Sequence, residues 1–559
     1  AARPPKPRKP EQMPPDIPPA QLAAQLQKGL NGMYLRKNLA LLCALACAIL
    51  SIDLPFFTWT GALGTLPLTT LRQVLVLALM VLTALACYEV FTGGLGRLLH
   101  LQVGPDTLAA IAWLFTALDS VHLIAAQSRP GLSCGAVISI GVAMVQQGNL
   151  LRRRGDRISA KTLSRSNAPY VVTLDEQQWS GLPAYAKWSG TTAQFGSQLQ
   201  DEDGAQKAYR IAAPLLLLGA LLCAVMASLG RGKPELFVWC ASCCLTAVTA
   251  WSATLSYAMP YCRLANRLQK SGAALAGWPG VERCQAGGIL TTDLDLFPPG
   301  TVQVRQIKVF GQVSTEKVVA YTATLLRVLN CGLARTFHDL MRTQGALYRE
   351  VSGVRYHEGG VSGVIRNQEI LVGTAAFMHM MEVSLPQGLN IKTAVFCAID
   401  GQLAGMFPLQ YSVPSGVSPA LHAITQGGLF SVLVTRDFNL IPELLERFKL
   451  PVDRLEFPPV ERRLELSRTD RPHSQVPVAL LCREGLNVFA DAVVGGRRLR
   501  TATRLGIVFS LVGSVLGLAL TFYLTSLSAW ASLTTTSFLI FMLVWMVPQL
   551  LLSNWVDQF

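Results

Sequence analysis

Residues 287–304 read GGILTTDLDLFPPGTVQV. Residues 289–296 have the apolar character of a short strand, and Phe297-Pro298-Pro299-Gly300-Thr301 forms a turn of prolines and glycine. The stretch begins about 25 residues after an apolar segment that ends at Met259-Pro260-Tyr261-Cys262. It therefore marks the junction between a membrane part and a folded soluble part.

The 559 residues are 51% hydrophobic, with a mean hydropathy of +0.37, too apolar for an ordinary soluble protein. The net charge of +14 is clustered at Arg152-Arg153-Arg154, at Arg497-Arg498-Leu499-Arg500 and in the N-terminal tail. Each cluster flanks an apolar segment. That is the pattern of membrane topology signals, and it argues against a nucleic-acid partner. The 13 cysteines lie mostly inside apolar segments and form no CxxC pair in the soluble part, so they do not read as a disulfide framework.

Residues 1–37 comprise a basic, proline-rich tail followed by a segment that can form an amphipathic surface helix. Such a tail is a linker or a partner-binding arm. Apolar segments long enough to span a bilayer are expected near 38–57, 71–91, 106–126, 131–148, 210–229, 236–260, 505–526 and 534–554. Eight spans put both termini on one side. The loops on that side carry most of the Lys and Arg, which predicts a multi-pass protein of the cell (plasma or inner) membrane with termini and large loops in the cytoplasm. The lipid bilayer is the first expected partner. The small loop, 149–209, is marginal for a core of its own. The large loop, about 263–504, alternates strands (289–296, 302–310, 394–399, 430–434, 478–481) with helices (320–344, 419–426, 441–448), which predicts an α/β sheet.

Four local stretches occur in the order found in heavy-metal-transporting P-type ATPases. Val361-Ser362-Gly363 with Ile370-Leu371-Val372-Gly373 resembles the nucleotide-binding GxGVxG…VLVG stretch. Residues 394–405 resemble the return into the phosphorylation domain. Val432-Leu433-Val434-Thr435-Arg436-Asp437 resembles the TGD segment, and 478–487 the strand and loop of GDGxND. The resemblance implies about eight transmembrane helices, a haloacid-dehalogenase-like phosphorylation domain (263–318 and 401–504), an α+β nucleotide-binding domain (319–400) and a reduced actuator-like domain (149–209).

The resemblance also implies where catalysis would sit, and the letters there have changed. Aligning Gly300-Thr301 with the Gly-Thr of the family's Asp-Lys-Thr-Gly-Thr loop puts Phe297 at the nucleophile, and a phenyl ring cannot form an acyl phosphate. Pro298 and Pro299 follow it and offer no N–H to a phosphate. Asp293 and Asp295 share a strand face, and either could substitute. Asp295 lies about 6.6 Å back along such a strand, a poor position for in-line transfer. The glycine of TGD is Arg436, although Asp437 remains, and Glu484 and Val488 replace the two aspartates of GDGxND. Glu484 can still ligate magnesium. No Thr-Gly-Glu occurs in the small loop. Gly360, Gly363 and His338 are the remaining candidates for weak nucleotide binding, with Glu358 opposing phosphate.

On the transport path, the resemblance aligns the family's Cys-Pro-Cys with Met259-Pro260-Tyr261, keeping the proline kink at Pro260 without the thiolates. Cys240, Cys243 and Cys244 share one helical face, as either apolar packing or soft-metal ligands. Asp119 and His122 also share a face, as either a hydrated helix end or an ion or proton site. The expected function is therefore a P-type ATPase-like pseudoenzyme that senses, scaffolds or binds a partner through its tail or its Phe297 loop, with no resident cofactor. The alternative is a divergent cation translocase that uses Mg and ATP.

Overall fold

The computed structural model describes residues 15–52, 62–63, 66–100, 102–126, 131–386, 393–452, 455–468 and 470–559. Most of the basic tail (1–14) lies outside that set. Among the described residues, six helical stretches are long and apolar enough to cross a membrane: Pro19–Ser51, Leu68–Ala86, Pro105–Ala126, Phe195–Arg231, Leu486–Ser526 and Thr535–Trp555. Their outer faces expose large apolar side chains, such as Leu85, Ile211, Leu215 and Leu551. Exposed apolar residues on every such helix make a lipid-facing sleeve.

Two of the eight expected spans differ. The segment 131–148 is only the first part of one 29-residue helix, Gly135–Leu163. Its apolar start is buried among other helices, and its second half carries Arg152 and Arg153, which bind the soluble side. Arg152 pairs with Asp203 at 3.1 Å, and the Arg153 guanidinium donates to the Leu26 carbonyl at 3.1 Å. The segment 236–260 is interrupted. Helix Phe237–Val248 stops, residues 249–254 are irregular, and helix Leu255–Ser271 resumes. Pro260 lies inside the second helix, so the interruption is not at the proline.

Two seven-stranded sheets make the soluble part. In the first the order is Leu455–Glu456, Phe430–Leu433, Gly288–Thr291, Leu182–Ser189, Tyr170–Trp179, Ala479–Leu481 and Ala273–Leu275. The first four run parallel, and the later pairings are antiparallel. The second sheet is antiparallel and is built from Ser352–His357, Gly360–Ile365, Gln368–Gly373, Ala394–Ile399 and Gln402–Tyr411, with Val302–Val304 and Lys308–Val309 at its far side. Helix Thr315–Leu329 buries its apolar face, including Val318, Leu325 and Leu326, next to this sheet.

These pairings move the expected boundaries. The hairpin 170–189 is no separate small domain. Its two strands sit inside the first sheet, between Gly288–Thr291 and Ala479–Leu481. A hairpin of about 20 residues cannot bury a core alone, and here Val171, Val172, Ala184 and Tyr185 are buried in the shared core. The strands at 302–304, 308–309 and 402–411 pair with the antiparallel sheet, so that unit is wider than 319–400. The fold class holds in outline: several helices long and apolar enough to cross a membrane, an α/β unit and an antiparallel unit.

Candidate functional site at the C-terminal edge of the parallel strands

The strand that opens the 287–304 stretch spans only Gly288–Thr291. Thr292 then caps a single helical turn, Asp293–Leu296, in a reciprocal capping box with Asp295. The Asp295 carboxylate accepts from the Thr292 N–H at 3.0 Å and from its hydroxyl at 2.8 Å. Asp293 and Asp295 are therefore on a helical turn and do not share a strand face.

The neighbouring strand, Phe430–Leu433, runs parallel, with Leu433 in register with Thr291. It leads into Thr435-Arg436-Asp437. Asp437 is buried there, and the Asp293 charge acts on it. Burial first, and the Asp293 charge second, push the Asp437 carboxyl up to about 7. Burial likewise raises Asp293, opposed by the Gly332 N–H that donates to its carboxylate. The position at the strand end is thus held by Asp293. Phe297 lies a turn further on, buried against Tyr411 at 5.0 Å and Phe448 at 6.2 Å between ring centroids. Placing Phe297 at the nucleophile counted back from Gly300-Thr301 and missed the helical turn between strand and loop.

The charged groups here are engaged locally, while the Thr291 and Ser431 hydroxyls and the Asn439 amide nitrogen have no hydrogen-bond partner. Asp437 accepts from the Asn439 N–H at 2.9 Å and the Tyr411 hydroxyl at 3.4 Å. Arg436 is turned aside, donating to the Ser467 hydroxyl at 2.7 Å and the Leu329 carbonyl at 3.3 Å. Asp295, fully buried, pairs with Lys187 of the inserted hairpin. The Lys187 ammonium also lies 5.2 Å from the centre of the Tyr170 ring. The Tyr170 hydroxyl donates to Glu484. Burial, with Glu484 beside it, pushes the Tyr170 phenol up to about 12.

A line of side chains, Asp295, Lys187, Tyr170 and Glu484, therefore crosses the sheet edge. Three inter-strand steps separate Gly288–Thr291 from Ala479–Leu481, about 14 Å at the usual spacing. The strands that lead to Glu484 and to Asp293 are thus separated by the two strands of the hairpin. Nothing in the local sequence marks Lys187 or Tyr170, because their partners lie more than 100 residues away.

The nucleotide-type candidates do not converge. Gly360 and Gly373 both give way to the Phe377 ring, which would stand 2.3 and 2.4 Å from a Cβ at either position. Gly363 makes room for Leu325 and Val351. His338 meets the Tyr348 hydroxyl at 2.8 Å through Nδ1. Each is spent on packing. A cleft of about 1010 Å³ opens nearby between Phe377, Phe438, Leu444 and Phe457, with the Glu358–Arg463 ion pair at its rim. Its apolar walls suit a flat apolar group better than a triphosphate. The Phe297 loop borders a second cleft of about 420 Å³ with Arg335 and Asp339; Phe297 itself is buried, and Pro299 and Gly300 form the exposed tip.

In the membrane, Cys240, Cys243 and Cys244 are all buried on helix Phe237–Val248, and Cys243 Sγ lies 3.7 Å from Cys134 Sγ. Among the described residues no group of three or more His, Cys, Asp and Glu side chains is arranged to hold a metal ion. Asp119 is buried and His122 is half-buried, and both have polar or electrostatic partners.

Over 177 residues the chain is 24% identical to a copper-transporting P-type ATPase of Rhizobium leguminosarum bv. viciae, covering 30% of this chain and 21% of that protein. Over 105 residues it is 29% identical to a silver exporting P-type ATPase of Salmonella typhimurium, covering 17% of this chain and 13% of that protein. The chain is related to the heavy-metal P-type ATPases. The matched segments span about a fifth or less of these relatives' length. No protein-family model matches. Among solved structures, a zinc-transporting PIB-type ATPase in the E2.Pi state aligns with 93% of this chain and 99% of its own, at 12% identity and a TM-score of 0.44.

Proposed function

We propose that this relative of the heavy-metal P-type ATPases is a pseudoenzyme: a multi-pass membrane protein that keeps the family's architecture without an ATP-driven phosphorylation cycle and acts in sensing, scaffolding or partner binding. The observation that carries this reading is the inserted hairpin. Lys187 neutralises Asp295, Tyr170 engages Glu484, and two strands separate the carboxylates a magnesium ion would bridge. A cycle that moves one unit against another must break those strand pairings each turn. Neutral or capped carboxylates are also poor nucleophiles. The clustering of Lys and Arg supports a cell-membrane protein whose termini and soluble units face the cytoplasm. The Pro299–Gly300 tip and the tail are the surfaces for a protein partner.

A second reading, a divergent cation translocase using Mg and ATP, is favoured by one observation. Asp293, not Asp295, sits at the strand end beside Asp437. Purified full-length protein incubated with radiolabelled ATP and magnesium, then quenched in acid, tests both. The pseudoenzyme leaves no hydroxylamine-labile label. A label lost in Asp293→Asn but kept in Asp295→Asn replaces it with the second reading.

A further inference from the structure

Cys134 and Cys243 stand 109 positions apart in the chain, yet their sulfurs lie 3.7 Å apart in the fold. Both are buried: Cys134 is 8% exposed and Cys243 1%. Cys134 sits at the turn that opens helix Gly135–Leu163, and Cys243 lies midway along helix Phe237–Val248. Arg152, further along the first of these helices, binds Asp203 on the soluble side. Cys134 is about 27 Å from Arg152 along that helix. The pair is therefore at the end of the membrane bundle away from the soluble units.

Hydrogen bonds of the neighbouring residues hold both sulfurs in place. The hydroxyl of Ser133, next to Cys134, accepts from the Gln73 amide nitrogen at 2.9 Å and lies 2.7 Å from the Ser120 hydroxyl. Ser242, next to Cys243, donates to the Thr116 hydroxyl at 3.0 Å. Thr116 and Ser120 lie one turn apart on helix Pro105–Ala126, so this one helix sets the position of both cysteines. Close packing adds to this: a Cβ at Gly135 would stand 2.5 Å from Met80 Sδ. Gln73 is 2% exposed, and its Oε1 has no protein partner. An unmatched acceptor in a buried place is costly, so this corner favours a small guest that carries an O–H group.

We propose that Cys134 and Cys243 are an oxidisable dithiol that a hydroperoxide closes to a disulfide, joining the start of helix Gly135–Leu163 to helix Phe237–Val248. Hydrogen peroxide is small, uncharged and carries O–H groups, as entry to this corner requires. Cys134 is the more exposed sulfur and reacts first. Its sulfur attacks one peroxide oxygen and the O–O bond breaks. A sulfenic acid forms, and the other oxygen leaves with the thiol proton as water. The Cys243 sulfur then attacks the Cys134 sulfur. The S–S bond forms, the S–O bond breaks, and the hydroxyl leaves with the Cys243 proton as a second water. Two thiols lose two electrons, and one peroxide is reduced to two waters. A dithiol reductant reverses the bridge by exchange. A covalent bridge between two packed membrane helices limits their relative motion, so oxidation locks the bundle. The orientation proposed above puts this end outside the cytoplasm, where disulfides persist. The chemistry itself depends neither on that orientation nor on whether the chain is phosphorylated.

The test is peptide mass spectrometry of purified full-length protein in detergent. The protein is treated with hydrogen peroxide at the amount that oxidises the half-buried Cys43 and Cys223, blocked with N-ethylmaleimide and digested without reduction. The expected result is a peptide carrying Cys134 joined to one carrying Cys243. It should be about tenfold more abundant than any other cysteine pair, since a bridge forms only between sulfurs already close together, and dithiothreitol should remove it. Cys134→Ser and Cys243→Ser should each abolish it, and Cys240→Ser should leave it. A thermal melt guards against misfolded variants: the oxidised wild type should melt higher than the reduced one, and Cys243→Ser should show no such difference. If Cys134 and Cys243 remain thiols while Cys43 and Cys223 are oxidised, the pair is a packing contact only and the proposal is overturned. Cys134 joined in preference to Cys240 or Cys244 overturns it as well.

Discussion

The edge of the parallel strands holds buried charges in pairs, whereas the break in the membrane helix gathers neutral polar groups. At the strand edge every carboxylate has been taken up: Asp295 by Lys187, Glu484 by Tyr170, Asp293 by Gly332, Asp437 by Asn439 and Tyr411. In the membrane, Gln549 Oε1 is left without a protein partner. A paired polar cluster holds one conformation. Under the proposed reading, the carboxylates at the strand edge act as struts.

That contrast can be broken at several points. The largest effect is expected from Phe297→Asp. The substitution removes a buried ring worth about 3–5 kcal/mol and buries a charge without a partner. It should fail to generate an acyl phosphate and should unfold the soluble part at a markedly lower temperature. A labelled, stable Phe297→Asp protein would show that the loop is still a catalytic centre.

Lys187→Met comes next. It leaves Asp295 charged and buried, and breaking such a pair costs about 3–5 kcal/mol. Denaturant unfolding of the full chain measures it, and a loss below about 1 kcal/mol would mean that Asp295 is not held by Lys187.

The third is a pH dependence. The Asp437 carboxyl is raised to about 7 in the fold, against an ordinary value of 3.8. Between about pH 4 and pH 7 the folded chain holds the proton more tightly than the unfolded chain. This contribution to stability is therefore full at low pH and is lost as pH rises through 7. The protein should melt higher at pH 5.5 than at pH 8 from this group, and Asp437→Asn should reduce the difference. A difference unchanged by Asp437→Asn would locate the titration elsewhere.

The smallest is Tyr170→Phe. It removes one hydrogen bond to a half-exposed carboxylate and should cost about 1–2 kcal/mol of stability. If Tyr170→Phe costs as much as Lys187→Met, the line of four side chains acts as one unit.

The amino-acid sequence by itself determined the membrane character, because runs of 20 apolar residues have no other stable use. It also determined the α/β alternation and the family relation, since four short stretches keep their order. The strand Phe430–Leu433 with Asp437 beyond it was legible for the same reason: a buried parallel strand is a local apolar run. The tertiary structure decided what local patterns do not carry. A β-hairpin reads the same whether it stands alone or joins another sheet, so the insertion of 170–189 could not be read from its residues. The turn at Asp293–Leu296 was misread because Thr292 and Asp295 close a capping box that outweighs the strand-like letters around it. The sequence marks a kink only at Pro260, since proline is the visible helix breaker. The fold interrupts the helix earlier, where Ser514 donates to the Val248 carbonyl and Gln549 to the Leu255 carbonyl.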